Sequence, residues 1–226
     1  MMNWKKGGLL VLLGCALLLG GMPVSEASLW PGLGVKVSEK SGAFRTDDYH
    51  LGNTVLRSPY LVAHLNNDEY AGNVNAAIAR EKNRFLEELK EDNRTVTTDG
   101  WMSWHEGLVG NFISNNEGIT SIVLIEQKLS AGAEHGKTFA KGLNFDDTGN
   151  LLDLSAVLPN LTVDDVNHCI ETTAKKKGIT LLENHRVTEL PTNFYVGKNR
   201  VVYAIYQQDD LTPFDEGVFS VAIGKV

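Results

Sequence analysis

Residues Asp68 to Leu89 read DEYAGNVNAAIAREKNRFLEEL, and this stretch decides the fold. Val74, Ile78, Phe85 and Leu89 follow one another at spacings of 4, 7 and 4 residues. Those spacings keep one face of a 3.6-residue period, with Ala77 and Leu86 beside the stripe. Glu81, Lys82, Glu87, Glu88 and Lys90 lie mostly on the other side. Asn66 is a candidate N-cap, with Glu69 three residues on. The pattern predicts a helix of about six turns whose apolar stripe lies across a sheet. Phe85 is its expected anchor, and Lys82 belongs to the wet face.

The chain on either side of this helix reads as strand. From Phe44, the residues Tyr49, Leu51, Val55 and Leu56 recur among polar ones up to an expected turn at Ser58-Pro59. Tyr60-Leu61-Val62 continues as strand. Downstream, Thr95-Val96-Thr97-Thr98 is a short extended run before Asp99-Gly100, and Trp101 and Trp104 follow. Ile122-Val123-Leu124-Ile125, inside Ile119 to Leu129, predicts a central strand covered on both faces. Thr138 to Phe145 is another strand, closed by Asp147-Thr148-Gly149-Asn150. Thr162-Val163-Asp164-Asp165 opens a second helix in capping-box style, with Val163, Val166, Ile170 and Ala174 as its apolar face. Lys175-Lys176-Lys177 and then Gly178 end it, matching the helix dipole and a left-handed C-cap. Asn193 to Val196, Val201 to Tyr206 and Val218 to Ile223 are β. Two helices among roughly eight strands, not alternating, give an α+β class: an antiparallel sheet with the two main helices packed on one face.

The first 27 residues read as a signal peptide. Lys5 and Lys6 precede the apolar run Gly7 to Val24, and Ser25-Glu26-Ala27 has small residues where the peptidase needs them. Cleavage is expected between Ala27 and Ser28, which gives an extracytoplasmic address: periplasmic, secreted or envelope-associated. Two alternatives keep the body on the same side. One is a lipoprotein acylated at Cys15, after Leu12-Leu13-Gly14; the other is an uncleaved anchor. Residues 28–43, with Pro31, Gly32, Gly34 and Gly42, form a lead-in. The domain then runs over 44–226, with an N-terminal part to about 106 and a C-terminal part from about 107.

Losing Lys5, Lys6 and Glu26 with the leader takes the formal net charge from −7 to −8. That acidic balance argues against nucleic acid and anionic lipid as partners. Cys169 alone remains among the cysteines, so the fold must rest on its core. It sits in a helical pattern as a small buried hydrophobe.

Asn144-Phe145-Asp146-Asp147 has the look of a carbohydrate-deacetylase strand end. Completing a metal there needs paired histidines, and no two of His50, His64, His105, His135, His168 and His185 have a ligand-like helical spacing. The turn reading is preferred, since Asp and Gly serve local hydrogen bonding and positive φ. Ala133-Glu134-His135-Gly136 sits in a Gly-flanked loop where side chains project freely. Tyr195, Tyr203, Tyr206 and Phe214 alternate in strands, as core or sheet-face residues before they are a sugar platform. No Gly-x-Ser-x-Gly elbow, His-Glu-x-x-His pair or phosphate-binding Gly loop occurs.

Several stretches resemble a known family. Gly132 through His135-Gly136, then Asn144-Phe145-Asp146 with Thr148-Gly149, Leu151-Leu152 and Leu154, resembles its "GGAHG … nfD-x-TG-x-x-L-x-L" run. Asn193-Phe194-Tyr195, Val201-Val202, Tyr206 and Pro213-Phe214 with Gly217 and Ile223 resembles its closing "nFy … Y-x-x-x-PY-x-x-G … I" run. The family is that of the extracytoplasmic domain of the anti-sigma factor RsiV and the non-catalytic N-terminal module of the peptidoglycan deacetylase PdaC. It is largely filed as a domain of unknown function. The helix beginning at Asn66 resembles its N-terminal half. Ala133-Glu134 stands where the family usually has Gly-Ala. No anti-sigma segment before the leader and no catalytic domain after Val226 are expected, so what the resemblance implies is a fold and an address. It transfers neither sigma-factor signalling nor deacetylation.

The expectation is therefore a non-catalytic domain that recognises an envelope component, a lysozyme-like protein or a peptidoglycan fragment. Glu134, His135, Gly136, Tyr206 and Phe214 are the candidate ligand-binding residues. No cofactor, metal or catalytic residue is assigned. The alternatives are a metal-dependent deacetylase or hydrolase centred on His135, Asp146 and Asp147, and a structural envelope protein.

Overall fold

The computed structural model describes residues 44–51, 54–61, 68–96, 106–116, 118–129 and 137–226. The leader, its cleavage site, Cys15, the lead-in, Asn66, Trp101 and Trp104 lie outside them. No helix among the described residues is long and apolar enough to cross a membrane. The expected helix is present as α1 (Asp68–Val96), two turns longer than its apolar stripe. Its charged second half carries Thr95 and Val96 into the helix, where an extended run was expected. Propensity is a weak prior, and the helix simply continues through these two β-branched residues. Val74, Ile78 and Phe85 are buried, as are Ala71, Ala77 and Leu86. Lys82 is partly covered. The side chain of Leu89 falls outside the described ones.

All named strand pairs are antiparallel. Strands β1 (Phe44–Leu51) and β2 (Thr54–Leu61) pair with each other, with Thr46 opposite Pro59. Ser58-Pro59 is thus inside β2 and is no turn. A proline is tolerated in a strand wherever its missing N–H costs no ladder bond. A second sheet has the order β3 (Glu106–Asn116), β4 (Ile119–Leu129), β5 (Lys137–Phe145). The third holds β6 (Phe194–Val196), β7 (Val201–Tyr206) and β8 (Phe219–Lys225) in that order.

The α+β class holds with antiparallel sheets, and the two main helices, expected on one face of a single sheet, each cover a sheet of their own. Alternation along β4 sends Ile122 and Leu124 to α1, in one core with Leu143 and Phe145. Val123 and Ile125 point the other way, into a core shared with Tyr195, Ile205 and Val218 of the third sheet. The outer face of that sheet, with Phe194, Val196, Val202 and Phe219, packs on Val166, Ile170 and Ala174 of α2 (Val163–Lys177). The order is helix, sheet, sheet, helix. This is why β4 reads as a continuous apolar run: both of its faces are covered.

Local chemistry places α2 where the sequence reading put it. Thr162 accepts from Asp165 N, Asp165 accepts from Thr162 N, and Gly178 adopts φ 70° at the C-cap. The turn after β5 is built on Asp146. Its Oδ1 accepts from Thr148 N at 2.8 Å, Thr148 Oγ1 at 2.7 Å and Asn150 N at 2.9 Å. Gly149 supplies φ 82°. Bonds from Thr148 hold the Asp146 carboxyl below its ordinary range, and bonds from Thr162 do the same for Asp165. A lowered folded-state pKa contributes stability above the unfolded value, and that stability is lost as pH falls through the folded one. We expect melting temperature to drop below about pH 4, with the gap between wild type and Asp165→Asn narrowing over the same range. Thermal melts from neutral to acidic pH check both.

Candidate functional site: a pocket beside Tyr206 on the seam between the sheets

The second and third sheets meet along β5, whose outer edge has no strand beside it among the described residues. Side-chain amides take the place of that strand. Ala140 N donates to Gln207 Oε1 at 2.9 Å, and Gln207 Nε2 donates back to Ala140 O at 2.8 Å. Asn193 Oδ1 accepts from Gly142 N at 2.9 Å while its Nδ2 donates to Ala140 O at 2.8 Å. A primary amide matches a peptide group in donor and acceptor, so these side chains satisfy an edge that would otherwise recruit other chains. Deeper in, Ser121 Oγ accepts from Val196 N and donates to Asn144 Oδ1, and Asn144 Nδ2 donates to Phe194 O. Gly142 lets the sheets touch: a Cβ there would stand 1.8 Å from Phe194 O.

Two open pockets flank Gln207. The smaller, about 280 Å³, is bordered by Glu81, Arg84, Glu126 and Phe139 to Lys141. Glu126 is 4% exposed, and Arg84 donates to both of its oxygens at 3.0 and 3.1 Å. Arg84 also pairs with Glu81 at 3.0 Å and with Glu88. Burial raises the pKa of Glu126 despite Arg84. Burial opposes the charge of Arg84 as well, but its carboxylates outweigh that and hold it firmly protonated. Arg84→Ala leaves Glu126 buried and unpaired, and should cost about 1–3 kcal/mol. Adding Glu126→Leu should recover part of that loss, because a well-packed apolar pair often replaces a buried ion pair without cost. Urea melts of the single and double variants measure it.

The larger pocket, about 340 Å³, lies between Val187 and Glu189 to Asn193 on one side and Ile205 to Gln207 with Asp210 on the other. Both walls are pinned. Val187 is clasped by the Asn167 amide, which donates to its carbonyl at 3.0 Å and accepts from its N–H at 2.9 Å. Leu182 N donates to Leu211 O at 2.9 Å, and Gln207 N donates to Asp210 Oδ2 at 2.7 Å. Tyr206 lines the pocket with its ring largely in the α2 core, 7% exposed. Its hydroxyl is buried without a hydrogen-bond partner, as is that of Thr212. Burial raises the Tyr206 pKa, and the charge of Asp210 adds to it.

Of the five candidate residues, Tyr206 is on this pocket. Phe214 is in a 3₁₀ turn, Phe214–Glu216, and its carbonyl accepts from Gln208 Nε2 at 3.3 Å. It does not continue the strand alternation, because β7 ends at Tyr206. Glu134, His135 and Gly136 lie outside the described residues. Asp146, central to the hydrolase alternative, spends its Oδ1 on three turn donors, and the described residues hold no group of three or more metal-ligating side chains. Sequence reading missed the amide caps and the Arg84–Glu126 pair. Its one available signal was Gly142 inside a strand pattern, which marks a close backbone approach.

No protein-family model matches the sequence, and no curated protein does. Solved structures do match in shape. A DUF3298 family member from Bacteroides fragilis superposes with a TM-score of 0.52 at 14% identity, covering 80% of this chain and 89% of that one. A DUF3298 family protein from Pseudomonas aeruginosa gives 0.55 at 9% identity, with the same two coverages. The fold is that of DUF3298 structures. At this identity the likeness is one of architecture, and the DUF3298 fold brings no activity with it.

Proposed function

We propose that this chain is a secreted, non-catalytic binding domain that recognises a cell-envelope component, either a lysozyme-like protein or a peptidoglycan fragment. The observation that carries the reading is the open pocket beside Tyr206, whose pinned walls present the carboxylates of Glu189 and Asp210. Preformed concave sites with a few polar groups are where ligands bind. The leader, the acidic balance and the motifs shared with the RsiV and PdaC domains support the same reading, and the DUF3298 likeness is compatible with it. Glu134, His135, Gly136 and Phe214 are further contact residues under this proposal.

Capture from envelope extracts, with direct titration against lysozyme and muropeptides, tests it. Saturable binding to one of them is expected. No binding above background at high micromolar concentration would remove the reading. Stoichiometric zinc in the purified protein, lost on His135→Ala, would replace it with the hydrolase alternative.

A further inference from the structure

We infer that the side-chain amides of Asn193, Gln207 and Gln208 form a clasp that keeps the β5 edge closed to strand addition by a second copy of this chain. The inference goes beyond the binding reading and does not depend on it. Backbone groups of β5 that point away from β4 recur at every second residue, at Thr138, Ala140 and Gly142. All three N–H groups have a side-chain acceptor. Thr138 N donates to Gln208 Oε1 at 2.5 Å, Ala140 N to Gln207 Oε1 at 2.9 Å and Gly142 N to Asn193 Oδ1 at 2.9 Å. Ala140 O accepts from the Gln207 and Asn193 amides, each at 2.8 Å. Farther along, Asn144 O accepts from Leu152 N at 2.8 Å. A neighbouring strand would offer the same donors and acceptors, so the clasp and a second copy compete for one set of bonds.

The clasp comes from two adjacent segments that are themselves tied down. Asn193 leads into β6, and its carbonyl accepts from Ile205 N at 2.9 Å. Gln207 N donates to Asp210 Oδ2 at 2.7 Å, and Gln208 Nε2 donates to Phe214 O at 3.3 Å. Consecutive side chains of a strand point to opposite faces; the chain leaves β7 at Tyr206 and turns, and both glutamines reach one edge. They cover the outer end of β5. Lys137 is exposed, and Thr138, Phe139 and Lys141 are partly so, whereas Gly142 to Phe145 are buried. Without the glutamines, the edge from Lys137 to Lys141 is what a second strand can reach. A second copy fits it, because β5 can pair antiparallel with itself about a two-fold axis and every copy carries the same edge.

Gln207→Met and Gln208→Met together keep the length of the side chains and remove their amides. Sedimentation velocity is run on the purified protein over a wide concentration range. Wild type is expected to stay monomeric throughout. The double variant is expected to dimerise, with a Kd at least roughly ten-fold below the highest concentration at which wild type remains monomeric. Adding Thr138→Pro removes an N–H that a partner strand needs and should return the variant to monomer. Amide exchange shows whether the sheet is intact: in the dilute double variant Thr138 and Ala140 should lose protection while β4 keeps it. Should β4 lose protection too, Gln208→Met alone, at the exposed end of the strand, takes the place of the double variant. A folded variant that stays monomeric at every concentration would overturn the inference, and so would an association that survives Thr138→Pro.

Discussion

Phe85→Ala is expected to lower the unfolding free energy by about 3–5 kcal/mol. Phe85 is fully buried in the core that α1 shares with Ile122, Leu124, Leu143 and Phe145. Burying a ring contributes roughly 2–3 kcal/mol, and its removal leaves a cavity that neighbours on a rigid sheet cannot collapse into. The loss is a large share of the about 5–15 kcal/mol that holds a typical domain together. Lys82→Ala, on the same helix but off the stripe, should cost under about 0.5 kcal/mol. Lys82 is partly covered, so its stem contributes some packing, but no core contact goes with it. Urea melts decide the matter. Equal midpoints for the two variants would mean that α1 does not use this face against the sheet.

Gly142→Ala should be at least as damaging, although it adds only one methyl group. The added Cβ would lie 1.8 Å from the carbonyl oxygen of Phe194 and 2.7 Å from its carbon. Backbone cannot rotate aside as a side chain can, so the second and third sheets must separate locally. Separation would stretch the bonds from Asn144 to Phe194 O and from Gly142 N to Asn193, and would loosen the shared core of Val123, Ile125, Tyr195 and Ile205. Overpacking of this kind costs about 1–3 kcal/mol where the surroundings can yield. Here buried polar groups lose partners as well, and a total of about 3 kcal/mol or more follows. The variant should express poorly or melt at much lower urea. Gly72→Ala, where nothing lies within 4 Å of the added methyl group, is the control and should be neutral or slightly stabilising, since Ala is the better helix former. A Gly142→Ala protein as stable as wild type would mean that the sheets do not meet at this point.

The Gly142 variant also bears on the pocket. Gln207, which borders it, is held by the same β5 edge that Gly142 brings to Phe194. Loosening the seam should therefore disturb the Gln207 amide resonance before it disturbs α2.

The amino-acid sequence by itself determined the elements that depend on neighbours along the chain. The capping box at Thr162, the left-handed Gly178, the Asp146 turn and the stripe of α1 are each written within a few residues, and local hydrogen bonding or periodicity suffices to read them. The run Ile122 to Ile125 also announced a strand covered twice, because alternation fails only when both faces are dry. Tertiary structure decided the rest. Whether Ser58-Pro59 turns or continues depends on the strand opposite, and where α1 ends depends on more than propensity. The division of strands among three sheets, the amides of Asn193 and Gln207 on the β5 edge, and the pairing of Arg84 with Glu126 join residues 42 to 67 positions apart. No local rule links such positions, since each contact exists only after the sheets have packed. The pocket beside Tyr206 belongs to this second class: its two walls come from separate segments that the fold alone brings face to face.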